Sequence, residues 1–248
     1  MAFGPGEHTP EPDFRFLARK WAWASLDLIY PPRCGGCGNA GARWCAECRR
    51  SLRPLPIPLC NHCGEPVREP GHCARCERGP LSLIALRSAA LFQGPYRNAL
   101  HRLKYRHDQP LAQALGESLA EYWRRLRWPE ALVVPVPLSK KRRAERGYNQ
   151  AELLAGMFAG AAGLKMDAGA LRRERHTESQ VELTADERWA NVQGAFAARA
   201  ANVAGRTLLL IDDVCTTGAT LEASCRALLR AGAASVYGLT AARAPYRL

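Results

Sequence analysis

Two of the commonest nucleotide-binding motifs are missing from this sequence. It contains neither G-x-x-x-x-G-K-[ST] nor G-x-G-x-x-G, so a P-loop site and a Rossmann dinucleotide site have no support. Long apolar runs are missing as well, because the best stretches, Leu153–Leu164 and Ala231–Ala242, fall well short of the roughly 20 residues that span a bilayer. Met1–Pro12 has proline, glycine and acids rather than a basic and then apolar start, so no secretory signal is apparent. These absences predict a cytoplasmic protein.

Acidic residues are scarce in the chain. Its 248 residues include 23 Asp and Glu against 35 Lys and Arg, a formal net charge of +12. This balance favours anionic partners such as nucleic acid, an acidic membrane surface or a polyphosphate substrate, although a solvated positive face gives the same composition. The length suits one α/β core of ordinary size and a small second unit.

Cysteine, in contrast, is abundant. Eight of the ten cysteines form four C-x-x-C pairs, a spacing that suits metal sites better than disulfides and indicates a reducing compartment. Two such pairs complete one tetrahedral site, so two structural Zn²⁺ ions are predicted. Sequential pairing is favoured, and the alternatives are cross-braced pairing or a ligand from His62 or His72. The predicted ligands are Cys34, Cys37, Cys45 and Cys48 for one ion, and Cys60, Cys63, Cys73 and Cys76 for the other.

The most informative stretch is residues 208–221, LLLIDDVCTTGATL. The apolar run Thr207–Ile211 predicts a strand buried on both faces of a parallel sheet, and ligands bind beyond the carboxyl ends of such strands. Val214–Thr220 is predicted as a tight loop and Ala219–Ala231 as a helix, so loop amides and a helix N-terminus would form a phosphate site. The carboxylates of Asp212 and Asp213 can accept ribose hydroxyls and help to hold Mg²⁺.

This stretch closely resembles the motif with which type I phosphoribosyltransferases bind 5-phosphoribosyl-1-pyrophosphate (PRPP), D-D-x-x-T-T-G-x-T. By that resemblance, Mg²⁺ is expected to bind with PRPP at Asp212 and Asp213. The alternative is an ordinary strand, turn and helix with solvated acids. The residues expected to bind PRPP are Asp212, Asp213, Cys215, Thr216, Thr217, Gly218, Ala219 and Thr220.

A second, basic loop is predicted to face these acids. Ala131–Val136 has the pattern of another buried strand, and Pro137–Gly147 is predicted as the loop at its carboxyl end. Ser139, Lys140 and Arg146 are the candidates for binding the pyrophosphate of PRPP and stabilising it as it leaves. A nucleic-acid patch and a solvated charge run are the rival interpretations.

The remaining pattern predicts one parallel α/β domain with right-handed crossovers. The polar segment Arg172–Asn191 is expected to close over the site and exclude water. Tyr122–Trp128 interleaves aromatics with arginines, as in surfaces that stack single-stranded nucleic acid, but packing of its tryptophans in the core is favoured. Further strands are expected at Ala85–Phe92, Ala170–Leu171 and Ser235–Ala241, and helices at Arg97–Arg106, Ala112–Trp128 and Tyr148–Leu164.

Four segments follow from these patterns. Residues 1–12 are predicted to be disordered, and residues 13–30 to form an amphipathic helix that packs on the protein itself rather than on a membrane. Residues 31–80 are predicted to be a double zinc ribbon, in which metal rather than a large core supplies the folding energy. Residues 81–248 are predicted to be the phosphoribosyltransferase-like domain.

Several motifs together resemble the ComF family of competence proteins, over about Cys34–Arg243. They are the four C-x-x-C pairs, Leu103-Lys104-Tyr105, Val136-Pro137-Leu138 leading into Glu145–Gln150, the run from Thr177 to Phe196, and the PRPP motif. The resemblance implies a double zinc ribbon followed by the type I phosphoribosyltransferase fold, a parallel sheet flanked by helices. Glu178 departs from the family, which more often has a basic or small residue there. The departure affects the contacts expected of the lid, the segment Arg172–Asn191 that is predicted to close over the site.

The resemblance also implies a role in the uptake of single-stranded DNA during natural transformation. The implied partners are PRPP, single-stranded DNA and the DNA-uptake machinery at the inner face of the membrane, for a protein that is cytoplasmic or peripheral to the inner membrane. The alternative is an active phosphoribosyltransferase that moves 5-phosphoribosyl from PRPP to a nitrogen nucleophile in nucleotide salvage or biosynthesis. No acceptor site or general base can be assigned from the sequence. Glutamine-dependent chemistry is not expected, because the chain begins Met1-Ala2 and shows no glutaminase domain.

Overall fold

The computed structural model describes residues 31–175 and 184–245. The predicted disordered segment 1–12, the predicted helix 13–30 and the part of the predicted lid that contains Glu178 lie outside the described residues. Within the described residues, no helix combines the length and the apolarity required to cross a bilayer.

A four-stranded parallel sheet organises the described structure, as predicted. Its strands, numbered in chain order, lie in the spatial order β1 (Leu86–Leu91), β6 (Ser235–Arg243), β5 (Thr207–Cys215) and β2 (Leu132–Pro135). The register places Thr207 opposite Ser235 in the central pair, and Leu132 opposite Leu208 at the β2 edge. Because all four strands run the same way, their carboxyl ends meet at one edge of the sheet.

Helices cover both faces of this sheet. The first face carries α3 (Gly94–Tyr105), α4 (Leu111–Leu126) and α6 (Gln150–Ala162), and their apolar side chains pack with Leu209 and Ile211 of β5. The second face carries α9 (Ala219–Arg230), which packs with Leu208 and Leu210. Successive residues of a strand point to opposite faces, so the unbroken apolar run of β5 supplies both halves of the core.

The two cysteine-rich ribbons pack on opposite faces of the sheet. The first ribbon (residues 34–50) ends in α1 (Ala46–Arg50) and joins the buried cluster of α3, α4 and α6. The second ribbon (residues 60–78) ends in α2 (Ala74–Arg78) and joins the cluster of α9. At Gly64, which has a φ of +69°, a Cβ atom would lie 2.3 Å from the backbone oxygen of Leu86. Glycine therefore permits the second ribbon to lie directly against β1.

One predicted loop is partly a helix. Residues Lys140–Arg146 form α5, which begins at an N-cap where Ser139 Oγ accepts a hydrogen bond from the backbone N–H of Arg142 and ends at Gly147 with a φ of +72°. The loop prediction for this segment was wrong, because its charged residues also favour a helix. Lysine and arginine are good helix formers, and serine at the N-cap with glycine after the last turn are the usual helix boundaries.

The loop after β5 is shorter than predicted. Val214 and Cys215 belong to the strand, and Cys215 lies opposite Arg243 because β6 also continues beyond its predicted end. The loop is therefore Thr216–Gly218, and α9 begins at Ala219 as predicted. Extension of one parallel strand gives its neighbour hydrogen-bond partners, so the two strands lengthen together.

The strand expected at Ala170–Leu171 does not join the parallel sheet. It is β3 (Leu171–Arg173), and it pairs antiparallel with β4 (Phe196–Ala198) in a separate two-stranded sheet. Between them in the chain lies α7 (Ala185–Val192), and α8 (Ala200–Val203) leads from β4 towards β5. The small sheet packs over α9 on the second face.

Core packing accounts for the aromatic segment at the end of α4. The ring of Trp123 lies edge-on to Phe158, and the ring of Trp128 lies 4.9 Å from that of Tyr237. Arg124 donates a hydrogen bond to the backbone oxygen of Ala161. The favoured interpretation of this segment, with its tryptophans in the core, is confirmed.

Candidate functional site

Each ribbon brings four cysteine sulfurs together, and the tetrads are sequential. The four Sγ atoms of each tetrad lie within 4.8 Å of one another. Cys37 and Cys45 are 3.8 Å apart in the first ribbon, and Cys63 and Cys73 are 3.6 Å apart in the second. A Zn–S bond of about 2.3 Å with tetrahedral angles implies sulfur separations of about 3.8 Å. The residues therefore fit Zn²⁺, and the cross-braced and histidine alternatives do not match the arrangement.

Backbone amides favour the thiolate form of two of these sulfurs, which is the form that binds a cation. The N–H groups of Cys45 and Cys73 point at the sulfurs of Cys34 and Cys60, at 3.4 Å and 3.3 Å. Burial alone would raise the pKa values of Cys34 and Cys60, but backbone hydrogen bonds outweigh it and lower both to about 6. Burial and neighbouring thiolates raise the pKa of Cys63. A divalent cation at the centre would relieve that conflict and allow all four thiols to ionise.

A cavity of about 440 Å³ lies at the carboxyl edge of the parallel sheet. Its floor is the end of β5 with the start of α9, and one wall is the segment after β2. Basic side chains from three further directions complete the lining: Lys104 from α3, Arg142 and Arg146 from α5, and Arg173 from β3. This is the edge at which the sequence predicted a ligand site.

The two adjacent acids of β5 lie on the floor of the cavity. Asp213 Oδ1 accepts a hydrogen bond from the N–H of Val214 at 2.7 Å, and Asp212 Oδ1 accepts one from the N–H of Asp213 at 2.8 Å. Lys104 Nζ forms an ion pair with Asp213 Oδ2 at 2.9 Å, and among the described residues this buried oxygen accepts no hydrogen bond. The contact with Lys104 is therefore chiefly electrostatic, and the ammonium balances one of two neighbouring negative charges.

The carboxyl group of Asp212 is hard to ionise in this position. Burial is the main cause of its raised pKa, the neighbouring carboxylate of Asp213 raises the pKa further, and Lys104 opposes both effects. A cation or a hydroxyl donor that entered the cavity would favour the charged form. The floor of the cavity thus holds a carboxyl pair whose charge is only partly balanced by the protein.

The loop that follows the acids is suited to an anion. Gly218 is the N-cap of α9 and has a φ of +83°, a conformation that other residues adopt only with strain. Gly218 has no side chain that could cap the helix, and Gly218, Ala219 and Thr220 line the cavity. The positive end of a helix attracts a phosphate group.

The cavity collects most of the residues that the sequence singled out for PRPP. Asp212, Asp213 and Arg146 line it together with five of the loop and helix residues, Cys215, Thr216, Gly218, Ala219 and Thr220. Thr217 does not line it, and its Oγ1 instead accepts a hydrogen bond from the N–H of Ala219 at 3.3 Å. Ser139 and Lys140 do not line it either, since Ser139 is the buried cap of α5 and Lys140 is exposed at its start.

Several polar cavity residues were not singled out as ligands from the sequence. Lys104, Arg142, Arg173 and Tyr105 come from elements that are distant in the chain from the acids. Arg173 is half-buried with its guanidinium 5.3 Å from the ring of Phe196, and burial lowers its pKa to about 10. The signal for Lys104 was the absence of any acid in the basic helix Gly94–Tyr105, which leaves its lysine without a local partner.

Both ribbons contact elements that shape the cavity. In the second ribbon, Arg75 Nη1 donates a hydrogen bond of 2.6 Å to the backbone oxygen of Thr217, and its guanidinium lies 5.4 Å from the ring of Trp189. In the first ribbon, the backbone oxygen of Cys34 accepts a hydrogen bond of 3.2 Å from Arg102 of α3, the helix that carries Lys104. The ribbons thus support the phosphate loop and the cavity wall from two sides.

Comparison with known proteins agrees with both parts of the structure. Residues 25–77 match the double zinc ribbon domain family, and residues 144–245 match the phosphoribosyl transferase domain family. The chain is 33% identical to the DNA utilization protein YhgH of Salmonella typhimurium, over 77% of this chain and 86% of that protein. It is 30% identical to the competence protein ComFC of Bacillus subtilis, over 89% of each chain. A solved structure of the glutamine PRPP amidotransferase of B. subtilis, complexed with ADP and GMP, is 22% identical, with a TM-score of 0.37 over 52% of this chain and 25% of that chain.

Proposed function

The chain belongs to the ComF family, in which a double zinc ribbon precedes a phosphoribosyltransferase domain, and on this premise we propose that it binds PRPP with Mg²⁺ and acts in the uptake of single-stranded DNA. The printed names of its relatives, a DNA utilization protein and a competence protein, suggest the DNA role. In this proposal the protein is cytoplasmic or peripheral to the inner membrane, where it meets the DNA-uptake machinery.

One observation carries the PRPP proposal. The carboxyl pair Asp212 and Asp213, the N-terminus of α9 at Gly218, and the guanidinium groups of Arg142 and Arg146 line the same cavity. PRPP has three chemical parts that need such groups at once: ribose hydroxyls, a 5′-phosphate and a pyrophosphate. Carboxylates accept hydroxyl hydrogen bonds, helix amides bind phosphate, and guanidinium groups bind phosphate oxygens in pairs.

The proposed division of roles follows the positions of these groups. Asp212 and Asp213 hold the ribose, and the N-terminus of α9, where Gly218, Ala219 and Thr220 line the cavity, holds the 5′-phosphate. Arg146 and Arg142 hold the pyrophosphate from α5. Ser139 contributes through the start of that helix, since its Oγ holds the first turn in place, and Lys140 contributes charge from the exposed end. Roles for Cys215, Thr216 and Thr217 stay predictions from the motif.

The carboxyl pair also fits Mg²⁺. Hard carboxylate oxygens are its preferred protein ligands, and a cation beside Asp212 would favour the ionised form that burial and Asp213 oppose. Since Lys104 already faces Asp213 Oδ2, Asp212 is the better candidate for direct contact with the ion. When bound, Mg²⁺ would neutralise part of the charge of the pyrophosphate. Arg142, Arg146 and Lys104 would then orient PRPP and keep its phosphates apart from the acids.

Isothermal titration calorimetry with Mg²⁺ and PRPP tests this proposal. Asp213→Asn removes the charge that accepts a ribose hydroxyl and faces Lys104, so the affinity for PRPP is expected to fall by about tenfold or more. Glu130→Gln, at an exposed carboxylate that does not line the cavity, is the matched control and should bind as the wild type does. Equal affinity of the wild type and Asp213→Asn would overturn the assignment.

A second measurement separates binding from turnover. The alternative, phosphoribosyl transfer to a nitrogen nucleophile, requires that pyrophosphate be released in the presence of an acceptor. A coupled pyrophosphate assay with nucleobases, ammonia and a single-stranded oligonucleotide therefore distinguishes the two. Release above the Asp213→Asn background supports an active transferase, whereas binding without release supports PRPP as a ligand in DNA handling.

A further inference from the structure

A row of rings lines the cavity beside α3. The rings of Phe92 and His101 are stacked with their centroids 6.5 Å apart, and those of His101 and Tyr105 are 5.0 Å apart. The guanidinium carbon of Arg146 lies 4.8 Å from the centre of the Tyr105 ring. All four side chains line the cavity, and they are called here the ring row.

Two side chains of the ring row are exposed to solvent, so packing in the core does not account for them. Tyr105 is 54% exposed and is the single aromatic residue among the large hydrophobic side chains that are exposed in the described part of the chain. His101 is also exposed, and Phe92 is half-buried. In contrast, the aromatic residues at the end of α4 pack against Phe158 and Tyr237. Exposed aromatic side chains beside positive charge are the groups on which the bases of single strands stack.

Positive charge surrounds the ring row. Arg97, His101, Lys104 and Tyr105 are spaced so that they share one face of α3, a helix without a single acid. On the other side, α5 presents four consecutive basic residues, Lys140–Arg143. Burial and the charges of Arg97, Lys104 and Arg106 lower the pKa of His101, which favours the uncharged ring that stacks with Phe92.

We propose that the ring row binds single-stranded DNA, with one base stacked on Tyr105 and the flanking backbone phosphates held by the basic residues of α3 and α5. This inference rests on the proposed function, because it supplies the surface for the DNA role. Base stacking on aromatic side chains within a positive groove is the general means of binding single strands. A duplex is a poorer occupant, since its bases are already stacked on each other and present no free face.

The position of Arg146 gives the proposal a further consequence. Its guanidinium lies over Tyr105 and also lines the cavity proposed for PRPP, and its Nη1 donates a hydrogen bond of 2.9 Å to Gln150 Oε1. The DNA surface and the PRPP cavity are therefore continuous at one side chain. A strand on the ring row would lie across the mouth of the cavity.

Fluorescence anisotropy with a labelled oligo-dT tests the surface. Tyr105→Ala removes the stacking ring and is expected to weaken binding by about tenfold, whereas Tyr105→Phe keeps the ring and should bind nearly as the wild type does. Arg50→Ala, at an exposed arginine of α1 that does not line the cavity, is the control for loss of positive charge. An unlabelled duplex of the same length should compete less well than the single strand.

Two outcomes would overturn the inference, and neither depends on PRPP. If Tyr105→Ala binds oligo-dT as tightly as the wild type, the ring row is not the surface. The competitors decide between single strand and duplex. If the duplex displaces the labelled oligo-dT fully and free adenine displaces none of it, the site binds duplex DNA instead. The two proposals can fail separately. If the wild type does not bind PRPP in calorimetry, the PRPP proposal fails, whereas the oligo-dT measurements still test the ring row. Thermal melting confirms that each variant is folded.

Discussion

At the scale of single residues, the site is built around a carboxyl pair that the fold holds at an energetic cost. Asp212 and Asp213 are neighbours in the same strand, and Asp213 is only 3% exposed. Two carboxylates so close to each other repel in a region of low dielectric constant, and one lysine cannot balance both. Groups that are unfavourable in the free protein and favourable with a ligand are common at functional sites.

The pH dependence of stability should reveal this cost. The folded state raises the pKa of Asp212, so it holds a proton that the unfolded chain has already lost above about pH 4. The stability of the wild type therefore decreases as the pH rises towards the raised pKa. Asp212→Asn keeps an oxygen for the N–H of Asp213 but cannot ionise, and it should melt at a higher temperature than the wild type at pH 8.

The size of that shift is measurable by calorimetric melting. For a chain of this length each kcal/mol corresponds to about 2–4 °C, and the difference between Asp212→Asn and the wild type should shrink towards pH 5. Glu130→Gln, at an exposed carboxylate that does not line the cavity, is the comparison variant. A wild type that melts above Asp212→Asn at pH 8 would contradict the assigned direction of the pKa shift.

At the scale of elements, the second ribbon holds the loop that is proposed to bind phosphate. Arg75 lies between the cysteines of the last C-x-x-C pair and donates a hydrogen bond of 2.6 Å to the backbone oxygen of Thr217. In the same ribbon, the backbone oxygen of His62 accepts a hydrogen bond of 2.7 Å from the N–H of Leu86. The metal tetrad, α2 and the loop therefore form one mechanically connected unit.

Arg75→Ala is expected to weaken PRPP binding by a few-fold without loss of metal. Removal of the side chain leaves the Thr217 oxygen without this donor and frees the loop, so PRPP must order it on binding at an entropic cost. Arg78→Ala changes an exposed arginine of the same helix and is the matched control. Calorimetry gives the affinity, and a colorimetric zinc assay should give about two ions per chain for both variants. Loss of zinc from Arg75→Ala would mean that it acts on the ribbon instead.

The sequence was informative wherever chemistry lies in one continuous stretch. Residues 207–221 contained a strand, its acids, the loop and the next helix, so local pattern sufficed to predict their relation. The four C-x-x-C pairs are of the same kind, and the structure places them in the predicted sequential tetrads. A pattern within one stretch needs no knowledge of how distant segments pack.

The parts that were missed depend on packing between distant segments. Lys104 meets Asp213 across the sheet edge, and no spacing in the sequence encodes that contact. The pairing of β3 with β4, rather than with a strand of the parallel sheet, also depends on contacts between distant segments. Helix α5 was predicted as a loop for a different reason. Its run of charges is typical of an exposed loop, although its capping residues, Ser139 and Gly147, indicate a helix. The domain boundaries at residues 30 and 80 stay predictions.

At the scale of the whole molecule, both ribbons contribute residues to the buried clusters of the sheet. The first ribbon contributes Trp44 to one buried cluster, and the second contributes Cys60 and Cys63 to the other. Each face of the parallel sheet is therefore completed by residues from the cysteine-rich region. The expectation that this region has little core of its own is consistent with that sharing.

A fragment of residues 81–248 should consequently fail to fold cooperatively. Without the ribbons, apolar side chains of α3, α4 and β1 on the two faces would be exposed to water, at a cost of about 25 cal/mol for each Å². We expect strong binding of a hydrophobic dye and loss of a sharp melting transition, measured against the full chain. A sharp transition in the fragment near that of the full chain would show that the sheet is self-sufficient.

The placement of one ribbon on each side of the sheet also has a physiological meaning. If each tetrad holds Zn²⁺ as predicted, each ion would stabilise a ribbon that completes one half of the interior, so loss of zinc would not leave the rest of the fold intact. In a zinc-deficient cell, newly synthesised chains would then fail to complete folding and would be degraded by proteases. The supply of the metal would set how many copies of the protein exist, before any question of how well each copy works.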